Sequence, residues 1–181
     1  MSRKYKFNNK EGLYFVSFAT VYWIDVFVRD QYFWEISKSL EFCRKEKGME
    51  IYAWCIMPSH VHLIFRSKTD QPGKTLGEMK KHTSKQLTAL IKENPTESRR
   101  EWMLWMMERA GLKNSNVDKL QFWQQHNKPI ELWSSEVIDQ KTDYIHNNPV
   151  EAGFVMEPWH WKYSSAIDYS GGKGIIDIDF I

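Results

Sequence analysis

The sequence predicts an α+β fold in which helices pack on one face of an antiparallel sheet. Segments typical of strands and helices follow one another in the order β-α-β-β-α-(α)-β-α. The second and third strands are joined by a short connection at Pro58 and Ser59, which predicts an antiparallel hairpin. Hydrophobic residues make up 42% of the 181 residues, enough for one full core. We therefore expect residues 1–181 to form a single domain, a ferredoxin-like split βαβ sheet with one inserted helix.

The first half of the chain is expected to supply three strands and one helix. Leu13–Tyr22 is rich in aromatic and β-branched residues, which predicts the first strand. Asp30 is a candidate N-cap for a helix over residues 30–47, and Gly48 is placed to end that helix. The two strands of the hairpin are predicted at Glu50–Met57 and His60–Arg66.

Next come two predicted helices. Thr75–Lys92 has a helical spacing of apolar residues, including Leu76, Met79 and Leu87. Ser98 opens a Ser-Arg-Arg-Glu sequence that resembles a capping box, and the inserted helix it begins is expected to end near Gly111. With the polar, mobile connection that follows over residues 113–119, the insertion spans about residues 93–120.

The last two elements are a strand and a helix. Gln121–Leu132 is typical of a strand, with an interruption near Pro129. Ser134 or Ser135 is expected to cap the final long helix. That helix is predicted to end before Pro149, because a residue that precedes proline avoids the α region.

Charge and composition narrow the classes of function. The net charge is +2 and the pI about 8.4, so any surface for a polyanion has to be a local patch. Cys43 and Cys55 have no zinc-type spacing and are expected to be reduced core residues. No apolar run approaches the length of a membrane span. We therefore expect a cytoplasmic protein with no membrane partner.

The sequence His60-Val61-His62 stands out at the start of the third strand. Side chains on a strand alternate between its two faces, so His60 and His62 share one face with Cα atoms roughly 6.5–7 Å apart. Two imidazoles at that separation can converge on one metal ion. The same spacing also fits two partly exposed strand histidines without a ligand.

A second motif closes the last long helix. Tyr144 and Asn148 are four residues apart, so a phenol and an amide oxygen that can ligate a metal lie on one helix face. Taken alone, Tyr144 also fits an ordinary core aromatic.

Together the two motifs resemble those of a known family. PSHVHLI and YIHNNPVEAGFV, in this order and at this separation, are similar to the motifs of the REP-associated tyrosine transposases, which belong to the nucleases with a His-hydrophobic-His motif and one catalytic tyrosine. YFVSFATV, FWQQ and WKYSSAIDY also look like family landmarks, so the resemblance covers nearly the whole chain. Two residues depart from the common pattern: Ser59, where Asn is commoner, and Glu151, where a basic residue is usual.

The resemblance implies an enzyme, a tyrosine transposase that nicks and rejoins single-stranded DNA at hairpins of repetitive palindromes. It implies that His60, His62 and Asn148 ligate a divalent cation, with Mg²⁺ and Mn²⁺ both plausible, and that related insertion-sequence transposases use Gln in place of the asparagine. Tyr144 would be the nucleophile and would take the 5′-phosphate. In the superfamily, a homodimer can place the tyrosine of one chain in the site of the other.

Two other classes of protein remain open at this point. The main alternative is a domesticated protein that binds such hairpins without efficient cleavage. The other is an RNA-binding ferredoxin-like module, which predicts exposed aromatics on the sheet face where this chain has His60 and His62.

Candidate DNA contacts are less specific. Basic residues cluster on the second helix and at the start of the third, and some of the many tryptophans could stack on unpaired bases. The candidates are Lys80, Lys81, Lys85, Arg99, Arg100, Trp159 and Trp161. A solvated helix face explains the lysines equally well, and core packing is the commoner role of tryptophan. His126 and His160 are weaker candidates for the site itself.

Overall fold

The computed structural model describes residues 6–115 and 119–180. Its centre is one sheet with the strand order β2-β3-β1-β4, in which all neighbouring strands are antiparallel. The strands are β1 (Leu13–Ala19), β2 (Met49–Ile56), β3 (His60–Ser67) and β4 (Ile130–Leu132). Because β3 lies between β1 and β2, the sheet is a split βαβ, and the predicted α+β class and hairpin are confirmed.

Five α-helices surround this sheet in the described part of the chain. They are α1 (Asp30–Glu46), α2 (Pro72–Glu93), α3 (Arg100–Gly111), α4 (Ser135–Glu151) and α5 (Ala166–Tyr169). Short 3₁₀ turns lie at Val21–Trp23 and Pro158–His160. None of the described helices is long and apolar enough to cross a membrane.

The two faces of the sheet carry separate cores, which corrects the expectation that the helices share one face. Val61 and Leu63 belong to the larger core, where α1 and α2 pack. Phe15 and Ile64 point to the other face and pack against Ile145 of α4. We call this second side the α4 face. The sheet is apolar on both sides, so the apolar side of α4 can pack on the second face. This packing brings Tyr144 and Asn148 to the face that carries the histidines.

Helix starts agree in part with the capping signals. Ser134 is the N-cap of α4 and accepts a hydrogen bond from the backbone of Val137. The capping box at Ser98 is wrong, since Arg99 precedes α3 and makes no side-chain cap. Asp30 is likewise the first residue of α1 rather than its cap, and its carboxylate accepts a hydrogen bond from Tyr163 at 2.6 Å. Gly48 follows α1 with a φ of +66°, as expected of a helix-ending glycine.

The helix α4 runs through Pro149 to Glu151, so the predicted end before the proline is wrong. Proline removes one helical hydrogen bond, the one that would reach the Ile145 carbonyl. The helix tolerates that loss near its end, where the backbone of Phe154 donates to the Pro149 carbonyl at 2.9 Å and closes the last turn. Asn148 therefore lies on the same continuous helix as Tyr144.

Two predicted strands are shorter than expected. β1 ends at Ala19, because residues 21–23 form a 3₁₀ turn. The region Gln121–Leu132 contributes only β4 and one isolated bridge between Thr20 and Trp123. Of the polar connection over residues 113–119, residues 116–118 lie outside the described part of the chain. The mobility expected for this connection stays a prediction.

Candidate active site

The two histidines lie side by side at the start of β3. His60 pairs with Ala19 and His62 with Ser17 of the neighbouring strand. Because one residue separates them, both rings lie on the α4 face, with 4.6 Å between their centroids. The shared face expected from the sequence is therefore present.

The helix α4 brings the second motif to the same place. Tyr144 lies against His62, with 5.2 Å between the ring centroids. The side chain of Asn148, one turn further along, lies close enough to His60 to oppose the lowering of its pKa. Ile145 between them is buried in the core and fixes the helix on the sheet. Four side chains from two elements thus meet within one chain.

His62 is almost sealed from solvent. Its side chain is 3% exposed, and Phe15 stacks on the imidazole at a centroid distance of 5.7 Å. Burial, the neighbouring His60 and the ammonium of Lys141 lower the pKa of His62 to about 3, so the ring is neutral at physiological pH. Neither ring nitrogen of His62 has a hydrogen-bond partner. A buried imidazole with two unsatisfied nitrogens is costly unless something binds it.

His60 lies nearer the rim of the site. Its Nδ1 is 3.2 Å from the hydroxyl of Ser59. Burial lowers the pKa of His60, and the side chain of Asn148 and the charge of Asp25 partly oppose that shift. The edge of the imidazole also meets Trp23, with ring centroids 5.4 Å apart.

The donor set fits a divalent cation. Two neutral imidazoles and an amide oxygen suit a borderline metal, and binding a metal would satisfy one of the two unpartnered nitrogens of His62. Within residues 6–115 and 119–180, no group of three or more His, Cys, Asp or Glu side chains is arranged to hold a metal. A site built from His60, His62 and Asn148 would have only two ligands of those types, and the ligand roles stay a prediction.

Comparison with known proteins decides the family. A family model described as Transposase IS200 like matches residues 13–108, more than half of the chain. The chain belongs to the IS200-like transposase family. The matched region includes both histidines, whereas Tyr144 and Asn148 lie beyond it.

Two further comparisons cover most of the chain. A Haemophilus influenzae protein, provisionally named a REP-associated tyrosine transposase, is 25% identical over 158 residues, which cover 86% of this chain and 80% of that protein. The solved structure of a REP-associated tyrosine transposase bound to a REP hairpin has a TM-score of 0.66 at 20% identity, covering 99% of this chain and 92% of the other. The resemblance read from the motifs is confirmed, and the structural likeness shows the shared fold.

The lysines predicted to touch DNA in this transposase fold divide into two kinds. Lys81 and Lys85 are exposed on α2 and line a groove of about 950 Å³, which Trp123 also lines. Lys80 points inward and donates hydrogen bonds to the carbonyl of Gln124 and the amide oxygen of Asn127. Burial lowers the pKa of Lys80 to about 8. The geometry gives Lys80 an internal tether and leaves Lys81 and Lys85 as the outward charges.

The two predicted arginines also differ. Arg99 donates to the carboxylate of Glu97 at 3.0 Å and to the carbonyl of Asp25 at 2.7 Å, so its charge is used inside the protein. Arg100 is the first residue of α3 and is half-buried. DNA contact by either residue stays a prediction.

The two predicted tryptophans lie in different environments. Trp159 is exposed in the 3₁₀ turn beside His160. Trp161 stacks on Phe154 and donates its indole N–H to the carbonyl of Ile56 at 3.0 Å. Trp161 is thus a packing residue, and Trp159 has the surface that stacking on a base would need.

Sequence reasoning missed three residues that contact the central group. Phe15 stacks on His62, the ammonium of Lys141 lies 5.5 Å from the centre of the Tyr144 ring, and Trp23 touches His60. Lys141 could have been found, because it lies three residues before Tyr144 on the same helix face. Trp23 gave no such signal, because it follows the predicted first strand and ends a 3₁₀ turn that has no periodicity of its own.

Proposed function

We propose that this chain is a metal-dependent endonuclease and strand transferase for single-stranded DNA. Its target would be the hairpins of repetitive palindromic DNA. The observation that carries the proposal is the convergence of His60, His62, Tyr144 and Asn148 on one side of the sheet. Neither motif alone would require a reaction, but a phenol against a buried imidazole with unpartnered nitrogens, beside a second imidazole, suits phosphodiester cleavage.

Support for the hairpin substrate comes from the relatives. The solved neighbour is a REP-associated tyrosine transposase bound to a REP hairpin, and the Haemophilus influenzae relative carries the same kind of name. The exposed Lys81 and Lys85 on α2 offer positive charge for a phosphate backbone.

Tyr144 is the nucleophile in this proposal. Its oxygen attacks the phosphorus, the bond from phosphorus to the 3′ oxygen breaks, and a 5′-phosphotyrosine forms. The phenol gives up its proton and the released 3′ oxygen takes one up, so the charges balance. The new ester retains the energy of the broken bond, so a 3′-hydroxyl can attack it and reseal or transfer the strand. Tyr144 is 41% exposed, which leaves its outer side open to an approaching strand.

The surrounding residues hold the reacting groups in place. A Mg²⁺ or Mn²⁺ ion held by His60, His62 and Asn148 would supply positive charge to the phosphate oxygens, since its three protein ligands are neutral. Phe15 excludes water from one side of His62 and keeps that imidazole neutral. Lys141 adds a cation beside the Tyr144 ring, where negative charge develops as the phenol loses its proton.

The direct test is formation of a covalent protein–DNA product. Single-stranded hairpin DNA, labelled at the end that remains with the 5′-phosphate, is incubated with the protein and Mn²⁺ and run on a denaturing gel. We expect a shifted, protease-sensitive band that is absent with EDTA and with His60→Ala or His62→Ala. Hairpin binding without any such band would favour the alternative function, a hairpin-binding protein without cleavage.

A further inference from the structure

The turn after β1 presents two neighbouring aromatic rings in an unusual backbone conformation. Tyr22 and Trp23 have φ angles of +54° and +56°, in the left-handed region that bulky residues rarely adopt. Their side chains are 45% and 54% exposed, so burial of the rings does not explain the conformation. Strained residues of this kind persist where the surrounding structure holds them, and they cluster at functional sites.

The surrounding structure does hold this turn on both sides. The hydroxyl of Thr20 donates to the carbonyls of Ile24 and Ser59, at 2.8 and 3.1 Å. The backbone N–H of Val21 donates to the carbonyl of Phe122 at 2.8 Å. The side-chain amide of Gln124 donates to the Thr20 carbonyl at 3.0 Å. The rings are therefore presented by a preorganised turn rather than by a loose loop.

The two rings line a cavity of about 480 Å³ beside the histidine site. Gln125, His126 and Lys113 also line it. Trp23 is common to the cavity and the site, because its ring also meets His60. A group bound in the cavity would thus be separated from His60 by a single indole.

We propose that this cavity binds one unpaired nucleobase of the DNA strand, next to the phosphate that is cleaved. The inference rests on the proposed function and names a subsite for it. Exposed aromatic rings stack on the face of any base, and the amide of Gln125 and the imidazole of His126 can pair with its polar edge. The ammonium of Lys113 suits the adjoining phosphate. Tyr22 and Trp23 therefore position the scissile bond relative to His60.

A binding cycle tests this proposal without requiring cleavage. Affinities are measured without metal, in the Tyr144→Phe background, for a hairpin with a single-stranded flank and for a series in which one flank position at a time is abasic. Trp23→Ala should weaken binding of the intact DNA by about 5- to 150-fold, the range for loss of one stacked base. One abasic position should weaken binding to the protein with Trp23 by a similar factor, and should weaken Trp23→Ala binding by a clearly smaller factor.

The controls separate stacking from misfolding. Trp23→Phe keeps a ring and should retain most of the affinity. Trp23→Gly removes the ring at a φ that glycine adopts freely, so it should lose affinity like Trp23→Ala without a lower melting temperature. Trp34→Ala, which removes a partly exposed indole from α1, should leave the affinities unchanged.

Unchanged affinity in Trp23→Ala would overturn the proposal. So would independent losses, in which the fold-change from Trp23→Ala and the fold-change from the abasic site multiply at every flank position. The proposed function fails separately, if the protein with an intact Tyr144 forms no covalent product with the same hairpin and Mn²⁺. The binding cycle still reports on the cavity in that case.

Discussion

The ring of Tyr144 contacts the imidazole of His62 within a single chain, with the two ring planes 73° apart. The two residues differ sharply in exposure, 41% for the tyrosine and 3% for the histidine. DNA can therefore reach the phenol from solvent while His62 stays in a water-poor environment, where electrostatic interactions are strong. This arrangement depends on α4 packing on the face of the sheet that carries the histidines.

Tyr144→Phe should eliminate the covalent protein–DNA product and leave hairpin binding intact. The substitution removes only the hydroxyl, and the ring keeps its contacts with His62 and Phe15, so the free energy of unfolding should change by less than about 1 kcal/mol. Tyr163→Phe is the matched control, because its hydroxyl donates to Asp30 rather than facing the site. It should keep the adduct and lose about 1 kcal/mol of stability. A band that survives in Tyr144→Phe would assign the nucleophile to another residue.

Cleavage should occur in cis, with both motifs from one chain. We expect a mixture of Tyr144→Phe and His62→Ala proteins to remain inactive, because each chain lacks one half of its own site. The measurement is adduct yield after the two variants are mixed, denatured together and refolded, so that any dimer can exchange subunits. Restored activity would mean that a homodimer assembles the site from two chains.

Asn148→Ala should raise the Mn²⁺ concentration needed for half-maximal cleavage, by about 10-fold or more, while leaving some activity at saturating metal. Water can replace one neutral ligand, but the metal loses an oriented amide oxygen. Asn148→Gln keeps an amide oxygen on a longer side chain. Its half-maximal Mn²⁺ concentration should lie between those of the original protein and Asn148→Ala. An identical metal titration for all three proteins would remove Asn148 from the site.

Much of this site followed from local patterns in the sequence. The alternation of side chains along a strand placed His60 and His62 on one face of the sheet. Helical spacing placed Tyr144 and Asn148 on one face of α4. Neither pattern specifies which face of the sheet α4 covers. That depends on long-range packing of Ile145 against Phe15 and Ile64, which periodicity alone does not show.

The errors at element ends have a common origin in tertiary contacts. Pro149 lies inside α4, although the local rule ends the helix before it, because one lost hydrogen bond near a helix end is outweighed by packing. Ser98 looks like a capping residue, yet the carboxylate of Glu97 accepts from the backbone N–H of Arg99 at 3.2 Å. The positive φ of Trp23 lies in a turn whose first residues, Thr20 and Val21, are hydrogen-bonded to Ser59 and Phe122, so no local pattern indicates it.

Glu97→Gln should lower the free energy of unfolding at pH 7 by about 2–3 kcal/mol, because it breaks a buried ion pair. The carboxylate is buried and accepts from Arg29 at 2.9 Å and from Arg99 at 3.0 Å. Burial alone would raise the pKa of Glu97, but these hydrogen bonds outweigh it and lower the pKa to about 2.

The sign of that shift fixes the pH dependence. A depressed carboxyl pKa contributes stability above the unfolded value of about 4.3, and this stability is lost as the pH falls towards 2. The difference between the original protein and Glu97→Gln, measured by urea unfolding, should therefore shrink from pH 5 downwards. Glu101→Gln removes an exposed carboxylate from α3 and should show no such convergence. If the stability of Glu97→Gln and of the original protein differed by the same amount at every pH, the low pKa of Glu97 would be refuted.

Replacing Lys81 and Lys85 together by alanine should weaken binding to all hairpins by similar factors. Both ammonium groups are exposed on one edge of the groove beside α2, where they can contact phosphates but not specify a base. Each lost phosphate contact should reduce the slope of log affinity against log salt by about 0.7–0.9, so the pair should reduce it by roughly 1.4–1.8. The double variant Lys38→Ala/Lys45→Ala removes the same charge from the exposed side of α1 and should leave the slope unchanged.

Lys80→Ala offers a second comparison. The ammonium of Lys80 is hydrogen-bonded to Gln124 and Asn127, so its loss should lower stability more than it alters the slope. If the Lys81/Lys85 variant keeps the original slope, these two lysines belong to a solvated helix face and the DNA lies elsewhere.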